Sequence, residues 1–181
     1  MKKIKYSNWK FLLMVTFIFV FLLSCNKTKE EVQIKNIINQ IYKPESPFAS
    51  NSPYTNSKLK DNVFSKKLYA LILEAKEVEK KSRESISKNE QNNIKPYLLE
   101  GSVFVSVSEG YTSYSILKIS IQGNKATVLV KFSNDMFETV WTDKITLLNE
   151  NGWKLDNVAY KKANGNAKNL QELLFNFIQA Y

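Results

Sequence analysis

Few side chains in this 181-residue chain have the chemistry for catalysis. The sequence has no histidine and one cysteine, Cys25, so Ser–His pairs, Cys–His pairs and histidine-containing zinc sites are excluded. None of the five glycines has the spacing of a phosphate-binding loop. No group of acidic residues has the spacing of metal ligands. The sequence therefore predicts no metal and no cofactor.

Asp143 is the acidic residue whose position best suits a general base. It follows Trp141 by two positions in a strand-like segment, on the face that we expect to point into the core. A carboxylate buried in a pocket there could act as a general base. The alternative is structural, with Asp143 paired to a lysine or to a backbone amide. We favour the structural role and predict no catalytic residue.

A set of aromatic side chains could line a ligand cleft near Asp143. Aromatic residues offer apolar area together with a polar group, which suits them to binding small apolar ligands. The set comprises Tyr111, Tyr114, Trp141, Trp153 and Tyr160. The alternative, which aromatic residues on sheet faces more often satisfy, is that they form the core.

The N-terminal 25 residues have the pattern of a secretory signal. Four lysines come first, residues 11–23 are apolar except for Thr16, and Ser24 precedes Cys25. The pattern resembles the lipobox of bacterial lipoproteins, which implies cleavage before Cys25 and attachment of a diacylglycerol to its sulfur. The alternative, a transmembrane anchor, needs about 20 apolar residues. We predict a cleaved signal peptide over residues 1–24 and a lipidated tether over residues 25–31.

The lipobox resemblance implies a location in a bacterial cell envelope. Residue 26 is not aspartate, which by resemblance to the enterobacterial sorting rule favours the outer membrane, facing the periplasm or the cell surface. Residues 29–31, Lys-Glu-Glu, resemble a tag that directs some Bacteroidetes lipoproteins to the surface. Removing the four lysines of residues 1–24 lowers the formal net charge from +9 to +5. The remaining lysines are interspersed with other residues, so we predict no nucleic-acid partner.

The rest of the chain, residues 32–181, predicts a single α+β domain. Apolar residues at helical spacing indicate helices over residues 32–41, 61–85 and 167–181, with Asp61 as an N-cap. Alternating patterns and turn residues indicate strands over residues 103–107, 114–121, 126–132, 137–148 and 153–160. Polar loops are predicted over residues 44–57 and 161–166. Helices segregated from an antiparallel sheet of at least four strands define the α+β class.

Residues 141–160 resemble the closing hairpin of the nuclear-transport-factor-2-like, or cystatin-like, superfamily. The resemblance rests on Trp141, the Asn-Glu-Asn-Gly-Trp turn and the Leu-Asp-Asn-Val ending; residues 100–112 resemble the middle of small lipoprotein families in that superfamily. It implies a cone-shaped domain with helices packed on a curved antiparallel sheet. The C-terminal helix departs from the usual pattern. It could fill the cone or contact a partner.

Together these observations predict a non-enzymatic envelope lipoprotein that binds or scaffolds a partner. The partner could be a protein or a small apolar ligand. A more specific hypothesis is an immunity protein that neutralises a toxin delivered into the periplasm. The outer positions of the long strand at 137–148 are mixed rather than apolar, which favours a monomer or a weak dimer. The superfamily resemblance also implies an alternative from another class, a small-molecule isomerase or dehydratase that uses Asp143 with a tyrosine.

Overall fold

The computed structural model describes residues 29–42, 62–87, 95–164 and 166–181, with side chains throughout except at residues 87 and 162–164. The predicted signal peptide, Cys25 and the loop at 44–57 lie outside the described residues. Among the described residues, none of the helices combines the length and the apolar character that crossing a membrane requires.

The described chain forms three helices and five strands, and the α+β prediction is confirmed. Helix α1 covers residues 29–42. The remaining elements are α2 Lys66–Ser87, β1 Ser113–Gln122, β2 Lys125–Asn134, β3 Thr139–Asn149, β4 Trp153–Asn164, β5 Ala167–Asn169 and α3 Leu170–Gln179.

The strands form one open, curved antiparallel sheet in the order β1-β2-β3-β4-β5. Each strand pairs with the next along the chain, as tight turns between strands dictate. In β2 and β3, buried residues alternate with less buried ones, so the sheet has a buried inner face and an outer face. A bulge at Leu117 interrupts the pairing of β1 with β2.

The helices cover the inner face of the sheet and close the core. Each helix contributes apolar residues at helical spacing, which is why the sequence pattern reveals it. Burial of each large aliphatic side chain contributes about 1.5–3 kcal/mol before the entropy cost of ordering. The buried helical residues include Ile34, Ile38, Ile41, Leu68, Ile72, Ala75, Leu170, Leu174 and Phe177.

Helix α2 begins later than predicted. Its first residue is Lys66, and Ser65 is the N-cap, because its hydroxyl accepts a hydrogen bond from the Leu68 amide at 3.2 Å. Asp61, the predicted cap, lies outside the described residues. Glu150, in the turn between β3 and β4, also accepts from the Lys66 amide at 3.0 Å. An acidic side chain from this turn thus caps the positive end of the helix.

The segment predicted as a loop over residues 161–166 belongs mostly to the sheet. Strand β4 continues to Asn164, and the chain returns as the short strand β5 before α3 starts at Leu170. Asn169 ends β5 and caps α3, since its side chain accepts from the Glu172 amide at 3.1 Å. At the other terminus, residues 29–31 are helical, although we predicted them as part of the tether.

Candidate functional site

Asp143 points from β3 into the core, as predicted, and its carboxylate is fully buried. Oδ2 accepts hydrogen bonds from the Ser106 amide at 2.8 Å and from the Trp141 indole at 3.1 Å. Oδ1 accepts from the Ser106 hydroxyl and from the Lys161 amide, the latter at 3.2 Å. A carboxylate offers about four lone-pair positions. Each of them is occupied by a donor of the protein itself.

The segment that donates to Asp143 is irregular rather than a strand. The alternating pattern over residues 103–107 predicted a strand, and this prediction is wrong. Val103, Phe104, Val105 and Ser106 are all buried, which a strand with one solvent-facing side does not allow. Gly101 and Gly110 flank the segment, and both have positive φ angles. We call residues 101–110 the buried loop.

Two tyrosine hydroxyls complete the hydrogen bonding of the buried loop. Tyr42 donates to the Phe104 carbonyl at 3.0 Å, and Tyr160 donates to the Val103 carbonyl. Main-chain polar groups buried without partners cost about 1–3 kcal/mol each, so a loop inside the core requires such donors. Burial raises the pKa of both tyrosines above their usual value, and the charge of Asp143 raises them further. Both hydroxyls therefore stay protonated and able to donate.

Three of the predicted ligand-binding aromatics lie together. Tyr111, Tyr114 and Trp141 form a cluster with Tyr42 and Phe132. The ring centroids of Tyr42 and Phe132 are 5.0 Å apart. Within this cluster, the Tyr111 hydroxyl donates to the Tyr42 carbonyl at 2.8 Å and the Tyr114 hydroxyl to Asn39 at 2.9 Å. The rings thus contact one another, and their polar groups attach α1 to the sheet.

The other two predicted aromatics have different surroundings. Tyr160 reaches the buried loop through its hydroxyl. Trp153 is buried at the start of β4, and its indole nitrogen has no hydrogen-bond partner among the described residues. The structure therefore separates the five predicted residues into the aromatic cluster, a contact to the buried loop and a core position outside that cluster.

The hydrogen bonds around Asp143 suit a structural role better than a catalytic one. To take a proton from a substrate, the carboxylate would have to exchange one of its four protein donors for that substrate. Within the described residues, no group of three or more acidic, cysteine or histidine side chains could hold a metal ion. The site as built holds the buried loop against the sheet, which is a structural use of a buried charge.

A different feature of the surface has the character of a binding site. The turn between β2 and β3 presents Met136 and Phe137 to solvent, with 78% and 57% of their surfaces exposed, followed by Val140 at 60%. We call residues 135–138 the apolar turn. Asn134, which is buried, fixes it by accepting from the amides of Met136 and Phe137 at 3.1 and 3.3 Å. Its side-chain nitrogen also donates to the Gly110 carbonyl at 3.0 Å. The turn is thus anchored to the buried loop.

No protein-family model matches the chain, and neither a curated protein nor a solved structure is significantly similar to it. Its function is therefore inferred from its own residues.

Sequence reasoning missed the partners of Asp143 and the apolar turn. Ser106 interrupts an otherwise apolar run, which was a signal of a buried polar contact. Tyr42 ends the first helix, where its hydroxyl can reach another element. The sequence predicted Phe137 as the first residue of the strand at 137–148, on its inner face. This is wrong, because β3 begins at Thr139 and Phe137 is exposed in the turn, where Asn134 accepts from its amide.

Proposed function

We propose that the chain is a lipid-anchored, non-enzymatic binding domain of a bacterial cell envelope that contacts a protein partner through the apolar turn. The observation that carries the proposal is the exposure of Met136 and Phe137 on a turn that Asn134 holds in place. Large apolar side chains gathered in solvent mark interaction sites in soluble domains. Methionine and aromatic residues are also enriched at protein interfaces.

The hydrogen bonding of Asp143 favours binding over catalysis. An enzyme that used this carboxylate would need it accessible to substrate, and its four donors all belong to the protein. The alternative function, a small-molecule isomerase or dehydratase, has less support for this reason. Kinship with the nuclear-transport-factor-2-like superfamily is part of the proposal and rests on the sequence resemblance of residues 141–160.

Helix α1 lies between the proposed anchor and the contact of Tyr42 with β2. Helix α1 ends at Tyr42, whose ring contacts Phe132, two residues before Asn134. A helix over residues 29–42 is about 20 Å long, so residue 29 lies about that far from Tyr42. A lipid on Cys25, four residues upstream of this helix, would leave the apolar turn free for a partner.

Photo-crosslinking of the lipidated, full-length protein in its own cells tests the proposed contact. A photoreactive phenylalanine at Phe137 is compared with the same residue at Phe175 on α3, since the two side chains are exposed to 57% and 53%. We expect one discrete protein adduct at residue 137 and none at residue 175. Absence of an adduct at 137, or equal adducts at both positions, would overturn the proposal.

A binding measurement with the captured partner completes the test. The double variant Met136→Ser/Phe137→Ser should bind at least about tenfold more weakly, because central apolar contacts contribute most of the binding energy. Phe175→Ser should leave the affinity unchanged. Lipidation is tested separately by the intact mass of the mature protein, which should begin at Cys25 and carry a diacylglycerol. A chain that keeps residues 1–24 without lipid would contradict the proposed anchor.

A further inference from the structure

The outer face of the sheet carries a concentration of positive charge. Five exposed lysines occupy outer positions of β1, β2, β3 and β4, opposite the buried residues that alternate with them. We call this surface the lysine face. It comprises Lys118, Lys125, Lys131, Lys144 and Lys161.

The strand register spaces these lysines across the sheet. Leu129 of β2 pairs with Lys118 of β1 on one side and with Lys144 of β3 on the other. Strands are about 4.8 Å apart, which separates Lys118 from Lys144 by about 10 Å at the backbone. Lys131 lies two positions beyond Leu129 on the same face of β2. The charges therefore form an array rather than a single cluster.

Acidic side chains are missing from the strand positions that surround this array. Strands β1 and β2 contain no aspartate or glutamate. The acidic residue of β3, Asp143, points into the core. The acidic residue of β4, Asp156, accepts a hydrogen bond from the Ser65 hydroxyl at the start of α2, at 2.7 Å. Residues 25–181 contain 22 lysine and arginine residues and 17 acidic residues, which gives a formal net charge of +5.

We propose that the lysine face docks on a membrane surface rich in anionic phospholipids. A lysine ammonium is a compact charge that binds phosphate. Between the lysines, the outer positions carry hydroxyl groups such as Thr127 and Thr142, which can also donate to phosphate. Polybasic surfaces bind anionic bilayers with about a fivefold gain for each lysine near the surface.

The residue types on this face favour a lipid surface over other anionic partners. Lysine is depleted at protein–protein interfaces, which argues against a protein. The outer strand positions carry no arginine and no aromatic residue, although these side chains dominate the recognition of nucleic acids. Leu117, which the bulge in β1 exposes, adds an apolar contact for the headgroup region.

This surface goes beyond the proposed function, although it relies on the envelope location. A lipid on Cys25 would keep the lysine face close to a bilayer and raise its effective concentration there. Partner binding at the apolar turn does not require the lysine face. A negative result for membrane docking would therefore leave partner binding to be tested by crosslinking, and a negative crosslinking result would leave membrane docking to be tested on vesicles.

Lysine footprinting of the lipidated, full-length protein in vesicles tests the proposal. The protein is reconstituted in phosphatidylcholine vesicles, with or without about one-third phosphatidylglycerol, and treated with a water-soluble amine-reactive acetylating reagent. Mass spectrometry then gives the labelling rate of each lysine. At low salt, we expect the lysine face to react at least about threefold more slowly on phosphatidylglycerol vesicles. Lys80 and Lys81, which are exposed on α2, should react equally on both.

Matched charge variants complete the test. In Lys118→Gln/Lys131→Gln/Lys144→Gln, we expect Lys125 and Lys161 to lose their protection. Lys67→Gln/Lys80→Gln/Lys81→Gln removes the same charge from α2 and should leave that protection intact. Salt at about 1 M should abolish the effect, because it shortens the Debye length to about 3 Å. Equal labelling on both vesicles overturns the proposal. Equal protection by free inorganic phosphate on phosphatidylcholine vesicles overturns it too.

Discussion

The main-chain N–H of Ser106 donates a 2.8 Å hydrogen bond to Oδ2 of Asp143, which lies 37 positions away in the sequence. This bond connects an irregular loop inside the core to the central part of a regular sheet. The Ser106 hydroxyl bonds to the other oxygen of the same carboxylate. One buried charge thus replaces the partners that a strand would otherwise have supplied to this loop.

Replacing Asp143 with asparagine should destabilise the fold without changing its shape. An amide nitrogen cannot accept hydrogen bonds, so the donors on one side of residue 143 lose this acceptor, although the Lys161 amide also donates to the Ser106 hydroxyl at 2.8 Å. Hydrogen bonds to charged groups contribute about 1.5–3 kcal/mol each. We expect Asp143→Asn to lower the free energy of unfolding by about 2–4 kcal/mol, measured by urea denaturation.

The control for this prediction is Asp135→Asn, which changes an exposed acid and should alter stability by less than about 0.5 kcal/mol. A double-mutant cycle with Ser106→Ala measures the coupling directly. We expect a coupling of at least about 1 kcal/mol because the two residues share a hydrogen-bond network. If Asp143→Asn were as stable as the parent, the carboxylate would not be structural and the enzyme hypothesis would regain support.

Stability should fall steeply in alkaline solution because of the buried tyrosines. Burial raises the pKa of Tyr42, Tyr111 and Tyr160 above the usual value of 10.0. Above that pH the unfolded chain loses protons that the folded chain keeps, so stability is fully present below about pH 10 and decreases as the pH rises. Each tyrosine contributes about 1.4 kcal/mol per pH unit to the slope.

The variant Tyr160→Phe isolates one of these contributions. We expect its unfolding free energy to decrease less steeply between pH 10 and pH 12 than that of the parent, although it loses about 1 kcal/mol at neutral pH with its hydrogen bond to Val103. Ser106→Ala is destabilised without losing a tyrosine and should keep the parental slope. An unchanged slope in Tyr160→Phe would mean that this hydroxyl titrates alike in both states.

Gly101 should be the more sensitive of the two glycines at the ends of the buried loop. Its φ is +74°, and a β-carbon there would lie 2.8 Å from the Ser108 carbonyl oxygen. Gly110 has a similar φ of +80°, but its β-carbon would meet nothing closer than 3.9 Å. We expect Gly110→Ala to cost about 1 kcal/mol for the backbone conformation. Gly101→Ala should cost at least about 1 kcal/mol more, by thermal or urea unfolding. Equal losses would show that the close approach to Ser108 has no cost.

Asn134 should control the order of the apolar turn. Asn134→Ala removes the acceptor of the Met136 and Phe137 amides, whereas Asn134→Asp keeps an acceptor and loses only the donor to Gly110. We expect amide hydrogen exchange at residues 136 and 137 to accelerate about tenfold in the alanine variant, because a hydrogen bond of about 1.4 kcal/mol is lost. The aspartate variant should stay close to the parent. Equal exchange in all three proteins would contradict this role for Asn134.

The sequence predicted the regular parts of the fold because their patterns are local. The alternation of Trp141, Asp143 and Ile145 with exposed residues correctly placed Asp143 on the inner face of its strand. The helices were also found from the spacing of their apolar residues. The predicted helix boundaries were less accurate. The start of α2 depends on Ser65, whose hydroxyl donates to Asp156 of β4, 91 positions away in the sequence.

The buried loop could not be predicted because its conformation depends on distant partners. The run at residues 103–107 alternates like a strand, yet its carbonyls bond to Tyr42 and Tyr160 rather than to a neighbouring strand. A local pattern cannot show that side chains 57 and 62 positions away will satisfy a backbone. The predicted aromatic cleft depended on the same missing information, because contacts between rings were not visible from the sequence.

The bulge at Leu117 also affects how separate molecules meet. Strand β1 is ten residues long and is an edge strand of the sheet that the described residues form. The main-chain groups on its outer side could therefore template the addition of a foreign strand. The extra residue breaks the regular spacing of those groups between Ile116 and Lys118. A straight strand from another copy can therefore match only part of β1. This irregularity protects the protein from edge-to-edge aggregation.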